Sequence, residues 1–193
     1  MSMEEIRELL FRLRLLWKIK KQIYISFPVD DELARSSVKI DCIQQQDFYE
    51  GNGRIKGIIQ SIWNLNAAEE FYNKYRKFEK NLTAVHFHSW IRVLSPSVIH
   101  IAVPMGFKIF FTVHDYNLFC PNGTLLIFPK NKICHYQPLH MKCILCNCDR
   151  RRYVHKLYRM VRFFCLKYAL SKMDSYYLIT ISKKNDMICR QYC

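Results

Sequence analysis

The chain has 193 residues, half of them hydrophobic, which suits one compact core and is short for two. Thirty Lys and Arg against 16 acidic residues leave a formal net charge of +14, which points to an anionic partner: nucleic acid, an anionic lipid surface or a phosphorylated substrate. No run reaches the ~20 apolar residues of a membrane span. The longest stretch, Leu9 to Ile19, is broken by Arg12, Arg14 and Lys18, and Met1 to Glu8 carries Glu residues where an export signal would be basic. A cytoplasmic protein, peripheral at most at the inner face of the membrane, is the expectation. In that setting the nine Cys read as thiols or metal ligands, and the sequons at Asn81 and Asn122 stay unmodified.

Residues Ile6, Leu9, Leu10, Leu13, Leu16 and Trp17 recur at three and four and predict an opening amphipathic helix. Ile23 to Phe27 reads as a short strand stopped by Pro28, and Val38 to Ile43 alternates like a second. After the turn-rich Gly51-Asn52-Gly53, a helical pattern runs from Arg54 towards Lys80 through Ile58, Ile62, Leu65, Ala68, Phe71, Tyr72 and Tyr75, with a break near Asn64 to Asn66. Ala84 to His88 predicts a strand. Ser95-Pro96 starts a helix, with a capping hydroxyl ahead of a proline whose missing N–H costs nothing in the first turn, and Pro104 and Gly106 end it. The β-branched and aromatic run Lys108 to Val113 predicts a central strand.

From His114 to Asp149 the periodicity dissolves into a long Cys-rich segment, and a loop of that length inside a domain is usually functional. A basic helix follows, with Val154, Leu157, Tyr158, Val161, Phe164, Cys165 and Tyr168 on one face and no acid between Arg150 and Lys172. That face packs on the sheet in one reading; in another the basic amphipathic helix meets anionic membrane. Tyr176 to Ile181 predicts a last strand, and Ser182 opens a helix. Strands alternating with helices argue for an α/β fold with a doubly wound, mostly parallel Rossmann-like sheet, whose ligands sit beyond the carboxyl ends of the strands.

Four motifs stand in order on this framework: Ala84-Val85-His86-Phe87-His88, Leu94-Ser95-Pro96-Ser97-Val98, Thr112-Val113-His114-Asp115-Tyr116 and Cys120-Pro121-Asn122-Gly123. Together they resemble the N-terminal, acceptor-side domain of family-four glycosyltransferases of GT-B type. The resemblance extends from Ile55 to about Ile188 and includes Tyr72-Asn73, Cys148-Asp149-Arg150-Arg151 and the strand Tyr177 to Ser182. It implies retaining transfer of a sugar from a nucleotide-sugar donor to a cell-envelope polysaccharide or lipid-linked acceptor. Two departures from the family pattern go with it. The family's opening strand and Gly-rich turn do not precede the first helix, and no donor-binding second Rossmann domain follows, so residues 1–193 are expected to be one domain that is incomplete on its own.

The resemblance places His114 against the reacting sugar, where an imidazole can donate or accept near neutral pH. Asp115 and Tyr116 would orient the loop or touch acceptor hydroxyls. Side-chain alternation puts His86 and His88 on one face of their strand, with His88 at the crevice edge and His86 in the core. Ser182, after the last strand, completes the expected substrate-binding set. Cys143-x-x-Cys146 has a spacing at which two thiolates chelate one Zn²⁺, and Cys134 and Cys148 complete an expected structural zinc clip over residues 114–149. Catalysis itself is expected to need no cofactor. Two rivals stand beside this reading. One is a zinc-stabilised, basic nucleic-acid-binding protein, disfavoured because the Cys precede a long helix in an α/β pattern instead of framing a short reading helix. The other is a non-catalytic fragment.

Overall fold

The computed structural model describes residues 21–25, 54–88, 90–92 and 94–192. The helix expected over Ile6 to Trp17 and the strand over Val38 to Ile43 lie outside them. The described chain is α/β. Its main sheet has four parallel strands in the order β1 (Lys21–Ile25), β2 (Thr83–Phe87), β3 (Lys108–Val113), β6 (Tyr177–Thr180). Lys21 pairs with Thr83, Ala84 with Lys108 and Phe110 with Tyr177. β1 includes two residues before the apolar run Ile23 to Phe27, and its Lys21 lies opposite Thr83, the first residue of β2.

Between the strands lie α1 (Arg54–Ile62), α2 (Leu65–Tyr75), α3 (Pro96–Ala102), then after β3 the small pair β4 (Leu126–Ile127) and β5 (Lys132–Ile133), the short α4 (Met141–Leu145), the long α5 (Tyr153–Leu170) and finally α6 (Lys183–Arg190). Parallel strands need such crossovers, since a tight turn can only reverse the chain. The expected break in the first long helical pattern is present. α1 stops at Ile62, and Asn64 caps α2, its side-chain oxygen accepting from the Ala67 N–H at 3.2 Å.

The Ser95-Pro96 start also holds, with a correction to its chemistry. Pro96 occupies the first turn of α3, yet the Ser95 hydroxyl makes no cap bond there. It accepts instead from the Asn64 N–H at 2.9 Å and meets the Ser97 hydroxyl at 2.7 Å, while Ser97 donates to the Asn64 carbonyl at 2.7 Å. The three buried residues tie the α1–α2 junction to the start of α3, so the hydroxyl is occupied by a neighbouring element.

Val85, Phe87, Ile109, Phe111 and Val113 form one face of the sheet and merge in a single core with Phe71 and Tyr75 of α2, Val98 and Ile99 of α3, and Phe163, Leu166 and Ala169 of α5. Phe87 and Phe111 stack across the two central strands at 5.2 Å. Strand alternation then sends Ala84, His86, Phe110 and Thr112 to the opposite face.

The core-facing side of α5 is not the one expected. Met160, Phe163, Leu166, Ala169 and Leu170 pack inward, whereas Val154, Leu157, Val161, Phe164 and Tyr168 are exposed. The helix has two apolar stripes, and three- and four-residue spacing alone does not say which of them meets the core. Two cations are buried with the inner stripe, Lys156 and Arg162. A buried charge is costly unless coordinated, and both are. Arg162 Nη2 donates to the carbonyls of Leu94, at 2.8 Å, and Ile91. Lys156 Nζ donates to the carbonyls of Ile144, at 3.0 Å, Cys143 and Cys146, closing the carboxyl end of α4.

Candidate functional site at the carboxyl edge of the sheet

On the face opposite the main core, β2 and β3 carry a ladder of polar groups that climbs to the carboxyl edge. His86, buried, meets the Thr112 hydroxyl through Nε2 at 2.6 Å. One step further along each strand, His114 Nε2 lies 3.2 Å from His88 Nδ1, with the rings edge to face at 4.4 Å. In register His86 lies opposite Phe110, so both contacts are diagonal, each β2 histidine reaching the side chain two residues further along the β3 segment. His88 is half-buried and His114 exposed at the rim.

Electrostatics keep these rings neutral. Burial, then the nearness of His88 and His114, pushes His86 down to about 3 from an ordinary 6.5. Burial and the facing His114 push His88 down to about 4. His114 is lowered as well, by its partial burial, against the opposing pull of Asp115. Two neutral imidazoles joined by one N–H···N bond have used one donor and one acceptor between them. Whichever tautomer is present, the pair keeps one N–H and one lone pair for other partners. That combination matches a hydroxyl, which both donates and accepts.

The following turn is built tightly. Asp115 Oδ1 accepts from the Asn117 N–H at 3.0 Å, so this carboxylate shapes the loop. The Tyr116 N–H donates to the Gly123 carbonyl at 2.9 Å, and its ring packs on the main core. Gly123 has φ +71°, and a Cβ there would stand 2.4 Å from Asn117 Oδ1, so the position needs glycine. Ser182 sits beyond β6 as the N-cap of α6, accepting from the Asn185 N–H at 3.1 Å. His88 and His114 are therefore brought together, Asp115 and Tyr116 hold the adjoining turn, and Ser182 caps a helix.

The segment 114–149 has more structure than its sequence suggests, with the β4–β5 pair and α4 inside it. Its Cys residues gather. Cys120, Cys134, Cys143 and Cys148 line one small cavity together with Lys156, and Cys146 packs beside Cys134 and Cys148. Burial raises the thiols of Cys134 and Cys143 and pushes Cys148 up to about 11, against the lowering effect of Lys156 on Cys143 and Cys148. Among the described residues no group of three or more His, Cys, Asp or Glu is placed to hold a metal ion. Cys120, outside the spacing-derived ligand set, lines the same cavity.

The segment is fastened to α5 by a second device. Asp149, buried, accepts from Arg159 Nη1 at 2.9 Å, and the same nitrogen donates to Asn122 Oδ1. Asn122 Nδ2 in turn donates to the Cys148 carbonyl at 3.0 Å. One guanidinium thus joins the Cys120-Pro121-Asn122-Gly123 and Cys148-Asp149-Arg150-Arg151 motifs. Neither Lys156 nor Arg159 stands out in the sequence; the available signal is that each precedes by four an inner-stripe residue, Met160 and Phe163.

A roomier surface cavity, about 610 Å³, lies elsewhere, at the opposite end of the strands between His100, Pro104, Phe107 and Lys172. It is open, and it contains none of the edge histidines. The chemistry favours the histidine edge, since a parallel α/β sheet presents ligands to its carboxyl ends. No family model, no curated protein and no solved structure matches the chain.

Proposed function

We propose that the chain is the acceptor-side domain of a GT-B-type glycosyltransferase of family-four character. In this reading its parallel sheet is one half of a doubly wound pair, and a nucleotide-sugar donor held by a second domain meets an acceptor held here. The observation that carries the reading is the His88–His114 pair at the carboxyl edge, neutral at physiological pH and complementary to sugar hydroxyls. His114 is the residue nearest solvent and contacts the reacting sugar; His88 fixes its tautomer and orientation. The order of the four motifs supports the assignment, and the acceptor belongs to the cell-envelope polysaccharide or lipid-linked class. Transfer is retaining, as the family resemblance implies.

The test is NMR of the imidazole C2–H resonances of the full chain during titration with a panel of mono- and oligosaccharides and, separately, nucleotide sugars. Saccharides are expected to shift His88 and His114 together, and His114→Ala to weaken the response about 10²-fold, as loss of a positioned polar contact does. Nucleotide sugars alone are expected to give only weak, salt-sensitive effects. Saturable nucleotide-sugar binding that persists in high salt, or saccharides that leave both rings unmoved, would overturn the assignment.

A further inference from the structure

Two exposed apolar helix faces adjoin on one side of the molecule. On α5, Val154, Leu157, Val161, Phe164 and Tyr168 follow at three- and four-residue steps; Val154 is 70% exposed and Phe164 63%. The opposite side of this helix fills the core, so among the described residues the stripe is not part of that core. α1, joined to α5 by a hydrogen bond between the Ser61 and Tyr158 hydroxyls, adds Ile55, Ile58 and Ile59, all exposed. Contiguous apolar surface of this kind marks a contact site.

Charge says what kind. No Asp or Glu occurs from Arg150 to Met173. Arg150, Arg151 and Arg152 are exposed at one end of the stripe, Lys172 is exposed at the other with its ammonium 5.4 Å from the Tyr168 ring, and Lys56 is exposed on α1. We propose that the α1–α5 face docks on an anionic lipid surface, the apolar stripe entering the boundary between headgroups and acyl chains while these cations meet lipid phosphates. A second copy of the chain fits poorly, because a two-fold contact through this face would set like charges against each other. Nucleic acid would satisfy the cations and leave the stripe in water. Since β3 and β6 are parallel, α5 runs back against them, and its arginine end lies at the carboxyl edge with His88 and His114. The inference stands independently of the transferase reading.

Co-sedimentation of the full chain with vesicles tests it, using phosphatidylcholine alone and phosphatidylcholine with about one-third phosphatidylglycerol. Partition into the anionic vesicles should exceed that into the neutral ones by about tenfold or more and fall in high salt. The triple variant Leu157→Ser, Val161→Ser, Phe164→Ser should lose about tenfold in partition, and so should Arg150→Glu, Arg151→Glu, Arg152→Glu. Unchanged circular-dichroism melts would show that these exposed changes spare the fold. Equal binding to both vesicles, or wild-type binding by both variants, overturns the inference. So does a lipid-free dimer that the serine variant dissolves, which assigns the face to a second copy. Duplex DNA binding that displaces the vesicles and ignores the serine changes would assign it to nucleic acid.

Discussion

Acid should weaken this protein through His86 before most carboxylates are neutralised. In the unfolded chain the ring takes up its proton near 6.5, whereas in the fold it refuses one until about 3. Between those values the unfolded state binds more protons, so stability is fully present above about pH 6.5 and is lost as pH falls towards 3. Linkage puts the loss from this ring at about 2 kcal/mol at pH 5 and about 3 kcal/mol at pH 4, a large part of the 5–15 kcal/mol typical of a domain. His86→Gln supplies a comparison, because its amide can still meet the Thr112 hydroxyl and does not titrate. Urea unfolding of both proteins at several pH values between about 7.5 and 4 reads the difference. The wild type should fall more steeply, by about 3 kcal/mol over that range. Parallel slopes would mean that His86 is not held neutral by burial and that the packing of this face has been misjudged.

His88 should titrate near 4 by NMR, and replacing His114 by Ala should raise that midpoint by removing a neighbouring positive charge and part of the burial. Gly123→Ala should cost more stability than Gly106→Ala. Both have positive φ, but the new methyl at 123 meets Asn117 Oδ1 at 2.4 Å, while at 106 it meets only the flexible Lys80 chain at 3.0 Å. A difference of about 1–3 kcal/mol in chemical denaturation is expected, narrowed when Asn117→Ala accompanies Gly123→Ala. Alkylation of Cys148 near pH 8 should run about 10²-fold slower than that of an ordinary thiol, because its thiolate fraction is so small, with peptide mapping as the readout. A rate that jumps on adding chelator would instead report a metal on these thiols. Lys156→Met should loosen residues 141–148, since it strips the donor from three carbonyls, and limited proteolysis should cut there first.

The strands of the main sheet and most helix boundaries outside residues 114–149 were legible because local signals agreed: the β-branched run at Lys108 to Val113, the proline after Ser95, the break before Leu65. Alternation put His88 at the crevice edge and the strand end put His114 there, but their contact is diagonal to the β2–β3 register and was not legible. What could not be read was how a side chain reaches across elements. Ser95 looks like a cap until Asn64 occupies its hydroxyl. Lys156 and Arg159 look like solvated charges until carbonyls and a buried Asp149 converge on them. The stripe of α5 that faces outward could be read either as packed on the sheet or as facing a membrane, because periodicity finds an apolar face without saying which of two faces meets the core.

The Asn122-Gly123-Thr124 sequence has a practical meaning for anyone producing this protein. Asn122 is buried, its side-chain oxygen engaged by Arg159 and its nitrogen by the Cys148 carbonyl. A glycan cannot be accommodated there once the loop has closed, but an oligosaccharyltransferase acts on chains still emerging and unfolded. Routed through a eukaryotic secretory pathway, the polypeptide would face a race between sugar attachment and loop closure, and every molecule modified first would be barred from assembling the Arg159 staple. Asn122→Asp would not rescue it, since an aspartate there lacks the amide N–H that meets Cys148 and would sit against Asp149. A cytosolic host avoids the race altogether.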